Sequence, residues 1–159
     1  SEQEILEILS KYGVRGGSEK DYSEKETFVS VEIWGSGKPM REFLWSEDMA
    51  DACVFLMENR DFQDTYASES TTSSNSGKSV QIRNTHINIG TAKEISIREL
   101  AETIKDVVGF CGKLTFNTNK PDGTMRTLTD SSKLGQLGWR YKVELRRGMD
   151  RIYDWYLKS

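Results

Sequence analysis

Histidine, cysteine and long apolar runs are all scarce in this sequence, and each scarcity excludes a class of function. A single histidine, His86, among 159 residues cannot form a histidine-based catalytic triad or a multi-histidine metal site. The two cysteines, Cys53 and Cys111, are far apart and lack a CxxC spacing, which argues against a zinc site or a disulfide framework. We therefore expect reduced thiols and no bound metal.

The charge balance gives the chain no general affinity for polyanions. The sequence has 22 Lys and Arg against 25 Asp and Glu, a formal net charge of -3. This does not support binding to nucleic acid or to a membrane surface, and no apolar run approaches the ~18 residues that span a bilayer. The N-terminus also lacks a basic-plus-apolar signal. We expect a cytoplasmic protein in which any anion-binding site is local.

Hydrophobic spacing predicts helices that alternate with strands, an α/β (α+β-like) arrangement too small for a full doubly wound domain. Strands are expected at 28–34, 42–45, 86–90 and 113–117, and helices at 1–13, 46–58, 96–108, 130–138 and 145–157. The second of these helices is expected to bury one stripe, formed by Met49, Cys53, Leu56 and Met57. Residues 1–30 are predicted to be an N-terminal helix and linker, and 31–159 one domain with a mobile loop at 59–79.

The stretch "WGSGKPMR" contains the first candidate site. Gly35 and Gly37 look like part of a dinucleotide-binding fingerprint, but the third glycine that opens a helix is missing. A glycine turn between two strands is the better interpretation. This turn brings Lys38 and Arg41 close in sequence to Trp34. A guanidinium can hold a diphosphate with two hydrogen bonds and an indole can cover a sugar or base, although most surface arginines only pair with carboxylates.

Four further charged residues have simpler explanations. Asp122 lies in a Lys-Pro-Asp-Gly sequence, where aspartate is common for local hydrogen-bonding reasons. Arg126 could be a second phosphate ligand or a plain surface charge. Glu47 and Asp48 suit the first turn of a helix through its dipole, which explains them better than acid–base catalysis does. The residues by themselves predict one site for an anion and a ring, and no complete catalytic apparatus.

The order of the motifs resembles one family. The segments at 31–58, 86–110, 120–139 and 145–157 read "VEIWGSGKPMREFLWSEDMADACVFLME", "HINIGTAKEISIRELAETIKDVVGF", "KPDGTMRTLTDSSKLGQLGW" and "LRRGMDRIYDWYL". In this order they resemble the GDP-L-fucose synthases, which are extended short-chain dehydrogenase/reductases. Members convert GDP-4-keto-6-deoxy-D-mannose to GDP-L-fucose by epimerisation and NADPH-dependent reduction. The resemblance implies the small C-terminal substrate-binding domain of that fold, with the Rossmann half absent and residues 1–30 as a family insertion.

The resemblance also implies roles for individual residues. Arg41 is expected on the diphosphate of a GDP-sugar, Trp34 beside the nucleotide-sugar and Asp122 as an acceptor for a substrate hydroxyl; Lys38 and Arg126 are further candidates. No catalytic, cofactor-binding or metal-binding residue is assigned, because NADPH would be bound by an N-terminal domain without a counterpart in this chain. The fragment is expected to be inactive and monomeric, whereas the parent enzyme is expected to be a homodimer.

Three places depart from the family pattern, and two other functions remain as alternatives. Thr127 stands where the family often has a lysine near the phosphates, Trp45-Ser46 where His-Val is commoner, and Ala92 where glycine is usual. One alternative is a non-catalytic scaffold or interaction module, which would use the N-terminal helix face at Ile5, Ile8 and Leu9 or the Ser-rich loop. The other is the substrate domain of a related nucleotide-sugar epimerase or dehydratase, since the fold accepts many such substrates.

Overall fold

The structure, a computed structural model, describes residues 2–18, 27–66 and 84–159. Its elements in chain order are α1 (Glu2–Lys11), β1 (Val14–Ser18), β2 (Thr27–Trp34), β3 (Met40–Glu42), α2 (Ser46–Asn59), a 3-10 helix (Phe62–Thr65), β4 (Glu94–Ser96), α3 (Ile97–Val108), β5 (Lys113–Asn117), α4 (Ser132–Gln136) and α5 (Leu145–Lys158). This succession confirms the mixed α/β class. Across these ranges, no helix combines the length and the apolarity that a bilayer crossing needs.

The chain divides into two compact units. Unit 1 comprises Ser1–Arg41, Ile95–Thr127 and Met149–Ser159, and unit 2 comprises Glu42–Glu94 and Leu128–Gly148. The chain passes from one unit to the other four times: inside β3, inside β4, between Thr127 and Leu128, and inside α5. These boundaries differ from the predicted division after residue 30, which remains a prediction.

Unit 1 contains a three-stranded sheet in the order β1-β2-β5. Strand β1 is antiparallel to β2, with Val14 opposite Val31, and β2 is parallel to β5, with Trp34 opposite Asn117. A parallel pair needs a crossover connection, and α3 lies within it. The ends of β2 and β5 therefore meet at one edge of the sheet, so that Trp34 and the loop after Asn117 leave the sheet side by side.

Helix α3 begins as its sequence predicts. The hydroxyl of Ser96 accepts from the backbone N–H of Glu99 at 3.1 Å, and the Glu99 carboxylate accepts from the backbone N–H of Ser96 at 3.0 Å. This reciprocal capping box satisfies two backbone donors that have no partner inside the helix. The first-turn N–H of Arg98 donates instead to the carbonyl of Gly37, at 2.9 Å. The start of α3 is thus tied to the turn after β2.

The predicted N-terminal helix is confirmed as α1, but its apolar side chains are exposed. Ile5 and Ile8 are each 59% exposed and Leu9 is 39% exposed. The predicted linker after it is in part wrong, because residues 15–18 belong to β1, whose backbone groups pair with β2. Residues 19–26 of that linker lie outside the described part of the chain. The interaction-module alternative for this helix face stays a prediction.

The hydrophobic core of the described residues lies in unit 2, around α2. Ala52, Leu134 and Trp139 are buried together, and partly buried apolar residues pack around them: Leu44, Phe55, Leu56, Ile87, Ile89 and Tyr141. The small Ala52 is completely buried at the centre of this cluster. Helix α2 therefore turns its Ala52–Leu56 side inwards.

The predicted apolar stripe of α2 is wrong for three of its four members. Leu56 packs against the core as expected, but Met49 and Met57 are 51% and 78% exposed, and Cys53 is an exposed free thiol. The helical period fits a second face one residue earlier, at Asp48, Ala52 and Phe55. That face is buried because Ala52 packs against Leu134 and Trp139, and its carboxylate is tolerated there because backbone groups donate to it.

Asp48 is a buried acceptor and not a surface charge. It is 3% exposed, and its carboxylate accepts from the backbone N–H groups of Lys142 and Val143 at 3.0 and 2.9 Å. The helix-dipole explanation thus covers only part of its role. Glu47 remains on the surface, where it accepts from the indole N–H of Trp45 at 3.0 Å.

Three local predictions need correction. Residues 86–90 alternate in burial but pair with no strand in the described chain, and the strand expected at 42–45 lies earlier, as β3. The Lys-Pro-Asp-Gly sequence is not itself the turn, because the turn closes at its first residue, where the backbone N–H of Lys120 donates to the carbonyl of Asn117 at 3.1 Å. Of the predicted mobile loop 59–79, the first residue ends α2 and the 3-10 helix follows, while 67–79 lie outside the described residues.

Candidate functional site

The predicted glycine turn lies in unit 1, between β2 and β3. Gly35 and Gly37 have φ angles of 84° and 75°, in the left-handed region that favours glycine. Space is also short, because a Cβ on Gly37 would lie 2.5 Å from a ring carbon of Phe116, and one on Gly35 would collide with the carboxylate of Asp122. The two glycines therefore allow the turn to lie directly against neighbouring side chains.

Asp122 holds this turn from one side. Its two carboxylate oxygens accept from the backbone N–H and from the hydroxyl of Ser36, each at 2.7 Å. These two hydrogen bonds, with a smaller contribution from the charge of Lys38, keep the pKa of Asp122 below its usual 3.8. Both oxygens already have a protein partner. The expected role as an acceptor for a substrate hydroxyl stays a prediction, and the structure adds a local role in shaping the turn.

Trp34 is the last residue of β2 and presents its ring to solvent. The residue is 68% exposed, and the ammonium of Lys120 lies 4.9 Å from the ring centroid. This distance is typical of a cation–π contact. The indole is therefore a largely exposed aromatic surface with a cation beside it. Such a surface suits a ligand in which a ring is joined to a negatively charged group.

Arg41 is half-buried and already oriented by backbone carbonyls. One terminal nitrogen, Nη1, donates to the carbonyls of Met40 and Thr124 at 2.6 and 2.7 Å. The backbone N–H of Met40 donates to the carbonyl of Met125 at 2.8 Å, which joins the same two segments. Within the described residues, the Nε–Nη2 edge of the guanidinium has no hydrogen-bond acceptor. That edge is the one that holds a carboxylate or phosphate with two parallel hydrogen bonds.

The remaining two candidates also belong to unit 1. Lys38 is exposed within the turn, and its backbone N–H donates to the hydroxyl of Ser36 at 3.2 Å. Arg126 is exposed and has an interaction partner within the protein. The structure thus brings all five predicted residues into one unit, and it joins Trp34, Arg41 and Asp122 through two loops that bond to one another.

Sequence reasoning missed three residues of this site. Ser36 holds Asp122, Lys120 covers Trp34, and Arg98 donates to the carbonyl of Ser36 at 3.1 Å. Lys120 and Ser36 stand inside the motifs that carried the family resemblance, so their position was a signal. Arg98 lies 62 residues from Ser36, and no local pattern indicates that contact.

The glycine turn does not fit the diphosphate of a dinucleotide cofactor. A dinucleotide site needs free backbone N–H groups at the start of a helix. Here the N–H of Ser36 is taken by Asp122, whose carboxylate would repel a phosphate at the same place. The described residues also contain no group of three or more metal-ligating side chains. The glycine turn is therefore not a dinucleotide-binding loop.

In unit 2, the carboxylate of Glu42 holds the turn at Thr91 and Ala92, the last two residues of the "NIGTA" motif. Its carboxylate accepts from the N–H of Ala92 at 2.7 Å, from the N–H of Thr129 at 3.1 Å and from the hydroxyl of Thr91 at 3.2 Å. Burial raises the pKa of Glu42, but these hydrogen bonds outweigh it and leave the pKa below 4.5. Ala92 has a φ of 55°, so it adopts the left-handed conformation for which the family uses glycine.

A cleft in unit 2 contains none of the predicted site residues. It has a volume of about 790 Å³ and is lined in part by Lys93, Arg140, Tyr141 and Glu144. Lys93 lies 2.9 Å from the carboxylate of Glu144, which also accepts from the hydroxyl of Tyr141 at 3.0 Å. Hydrogen bonds with Tyr141 and Glu144 raise the pKa of Lys93. These charges neutralise one another, so the cleft is a weak candidate for an anion site.

Comparison with known proteins gives one family. The NAD dependent epimerase/dehydratase family matches residues 18–90. GDP-L-fucose synthase 1 of Arabidopsis thaliana is 50% identical over 129 residues, 81% of this chain and 33% of that protein. GDP-L-fucose synthase of Escherichia coli (strain K12) is 43% identical over 134 residues, 81% of this chain and 36% of that protein. The chain is therefore similar to the NAD dependent epimerase/dehydratase family over part of its length.

A solved structure extends the match to the N-terminal elements. MlghC, a GDP-mannoheptose C4 reductase from Campylobacter jejuni with NADP bound, superposes with a TM-score of 0.72 at 40% identity. It covers 99% of this chain, which in turn covers 37% of it. The chain thus spans about a third of the length of the relatives that it matches. The resemblance to GDP-L-fucose synthases that the motifs indicated is confirmed.

Proposed function

We propose that this chain is the substrate-binding portion of an NADP-dependent enzyme that acts on a GDP-sugar, and that unit 1 holds the GDP. The observation that carries the proposal is the assembly of Trp34, Arg41 and Asp122 at one edge of the β1-β2-β5 sheet. Ligands of α/β proteins commonly bind at the carboxyl ends of parallel strands. The similar proteins include a GDP-L-fucose synthase and a GDP-mannoheptose C4 reductase, which supports GDP as the shared part of the substrate.

In this proposal Arg41 contacts the diphosphate through its Nε–Nη2 edge, because Nη1 is occupied by two carbonyls. Trp34 covers a ring of the nucleotide-sugar, and Lys38 and Lys120 supply positive charge near it. Thr127 offers no charge, so Lys120 and Lys38 compensate for the lysine that the family often has there. NADPH and the groups that transfer protons belong to a part of the parent enzyme that lies outside this chain, and the chain alone turns nothing over.

Two classes of sugar are candidates for the part of the substrate that is attached to GDP. The GDP-L-fucose synthases favour conversion of GDP-4-keto-6-deoxy-D-mannose to GDP-L-fucose by epimerisation and reduction. The GDP-mannoheptose C4 reductase matches more of the chain, 99% against 81%, and favours a second candidate, the reduction of a GDP-heptose. Both candidates share the GDP contacts proposed for unit 1.

Isothermal titration of this chain with GDP tests the proposal. We expect weak binding, since one chain that spans a third of its relatives supplies only part of the cleft. Arg41→Ala should weaken the affinity about 10- to 100-fold, the value of charge-assisted hydrogen bonds to a phosphate. Arg147→Ala, on an exposed arginine of α5, is the matched control and should bind as the wild type does.

Two outcomes would contradict the proposal: no heat of binding for the wild-type chain, or an unchanged affinity in Arg41→Ala. A comparison of GDP-L-fucose with a GDP-heptose in the same titration separates the two candidate sugars. Steady oxidation of NADPH by this chain alone would contradict the statement that it is inactive.

A further inference from the structure

Arg98 joins the first turn of α3 to the turn Gly35–Gly37. Its Nη2 donates to the carbonyl of Ser36 at 3.1 Å, and its backbone N–H donates to the carbonyl of Gly37 at 2.9 Å. The carbon of its guanidinium lies only 3.8 Å from the ring centroid of Phe116 in β5. Such a stack fixes the orientation of the guanidinium plane. One residue therefore bonds the turn twice, while its own side chain rests against the sheet.

The two peptide units that flank Ser36 are held by different residues. Asp122 accepts the N–H that precedes the Ser36 side chain, and Arg98 donates to the carbonyl that follows it. The N–H of Ile97 donates in addition to the carbonyl of Pro39, at 3.0 Å. The path of the chain after Trp34 is thus defined by hydrogen bonds up to the start of β3.

Trp34 and Arg41 stand at the two ends of this held segment. Neither contacts Arg98 in the hydrogen bonds and ring contacts of the described chain, but their separation is set by the segment between them. Contacts to a diphosphate are directional, and a displacement of less than an ångström weakens them. A residue that fixes the segment therefore affects ligand binding indirectly, through the placement of Trp34 and Arg41.

We propose that Arg98 is a positioning residue of the GDP site, one that sets the placement of Arg41 relative to Trp34 by holding the Ser36 turn. This inference rests on the proposed function, because it assigns Arg98 a part in the same GDP contact. Lysine cannot take over this role. Lysine has no planar group to stack on Phe116. Its ammonium is a point charge, whereas the hydrogen bond to Ser36 is made by a planar group whose orientation the stack fixes.

The test compares Arg98→Ala, Arg98→Lys and the control Arg147→Ala. Titration with GDP should show an affinity about tenfold weaker than wild type for both Arg98 variants, as expected for a lost charge-assisted hydrogen bond. Hydrogen exchange of the amides of residues 35–37, measured without GDP, should be faster in both. The control should match the wild type in both measurements. An unchanged affinity in Arg98→Ala alongside measurable wild-type binding would overturn the inference.

A double-mutant cycle separates positioning from a general loss of stability. If Arg98 acts through Arg41, the effects of Arg98→Ala and Arg41→Ala on the GDP affinity are not additive, because the second change removes the contact that the first misplaces. Additive effects would contradict the inference. Should Arg98→Ala not fold, the cycle is run with Arg98→Lys. If the wild-type chain binds no GDP, the proposed function fails, and unchanged exchange at 35–37 in the variants would separately overturn the role of Arg98.

Discussion

Single residues in this protein owe their roles to partners that are far away in sequence. Asp48 illustrates this best, because its position in the first turn of a helix predicts an exposed carboxylate. The structure instead buries it and gives it two backbone donors 94 and 95 residues away. A buried carboxylate is tolerated only when its oxygens are hydrogen-bonded.

The first prediction concerns this residue. Asp48→Ala leaves the N–H groups of Lys142 and Val143 without their acceptor, one of them buried, and should lower the free energy of unfolding by about 2–3 kcal/mol. Urea denaturation followed by circular dichroism measures the change. Glu58→Ala on the same helix is the control and should stay within about 0.5 kcal/mol of wild type. Equal stabilities of the two variants would show that Asp48 does not hold the 142–143 segment.

In the site residues, too, the residue type predicts the chemistry and the structure adds the contacts. Their chemical types alone made Arg41 and Trp34 candidates for a diphosphate and a ring. What only the structure gives is the orientation of Arg41, with Nη1 on two carbonyls and the opposite edge without an acceptor among the described residues. The same holds for Asp122, whose carboxylate turns out to bind Ser36.

At the scale of elements, short segments without regular structure depend on one carboxylate. Glu42, the last residue of β3, accepts from Thr91, Ala92 and Thr129. These hydrogen bonds fix a turn in which Ala92 has a left-handed backbone. The segment 86–90 before it pairs with no strand in the described chain, so this carboxylate fixes the chain only where that segment ends.

The pH dependence of stability tests this arrangement. The pKa of Glu42 is lower in the folded protein than its usual 4.5, so its contribution is fully present above that value and is lost as the pH falls through the folded pKa. Glu42→Gln should therefore be less stable than wild type at neutral pH, and the difference should shrink below about pH 4.5. Urea unfolding at several pH values measures it, with Glu102→Gln as the control. A difference that is constant with pH would contradict the role of the carboxylate charge.

Helices were the elements that local sequence predicted best. The capping box of Ser96 and Glu99 and the apolar period of α3 and α5 depend on residues three or four positions apart, which is the spacing of contacts inside a helix. The inward face of α2 could not be read in this way, because two faces with a helical period compete. The core contact of Ala52 with Leu134 and Trp139 decided between them.

At the scale of the whole molecule, the two units have different tasks. The buried hydrophobic residues of the described chain, Ala52, Leu134, Trp139 and Val143, all belong to unit 2. Unit 1 contains every residue of the proposed GDP site and keeps large apolar side chains exposed, among them Trp155 and Tyr156, each 69% exposed. Exposed apolar surface of this kind is typical of a surface that another part of a protein covers.

Hydrogen exchange with and without GDP tests this division. GDP should slow exchange in residues 34–41 and 117–125, because a ligand suppresses the local openings of the segments that it contacts. The amides of Lys142 and Val143 in unit 2, bonded to Asp48, should exchange at the same rate with and without GDP. Protection confined to unit 2 would place the ligand elsewhere. Trp34→Ala, compared with Trp155→Ala as a control, should abolish the protection of 34–41 selectively.

The sequence by itself determined the mixed α/β class, the α-helices, strands β2 and β5, the resemblance to the GDP-L-fucose synthases and the residues with the right chemistry for a diphosphate and a ring. Those properties depend on local spacing and on residue type, which a linear sequence displays directly. The tertiary structure alone decided which face of α2 is buried, that Asp48 and Asp122 bond to distant backbone groups, and that Arg98 reaches Ser36. Each of these contacts joins residues between 62 and 95 positions apart, or selects between faces by packing, and no local pattern encodes such a pairing.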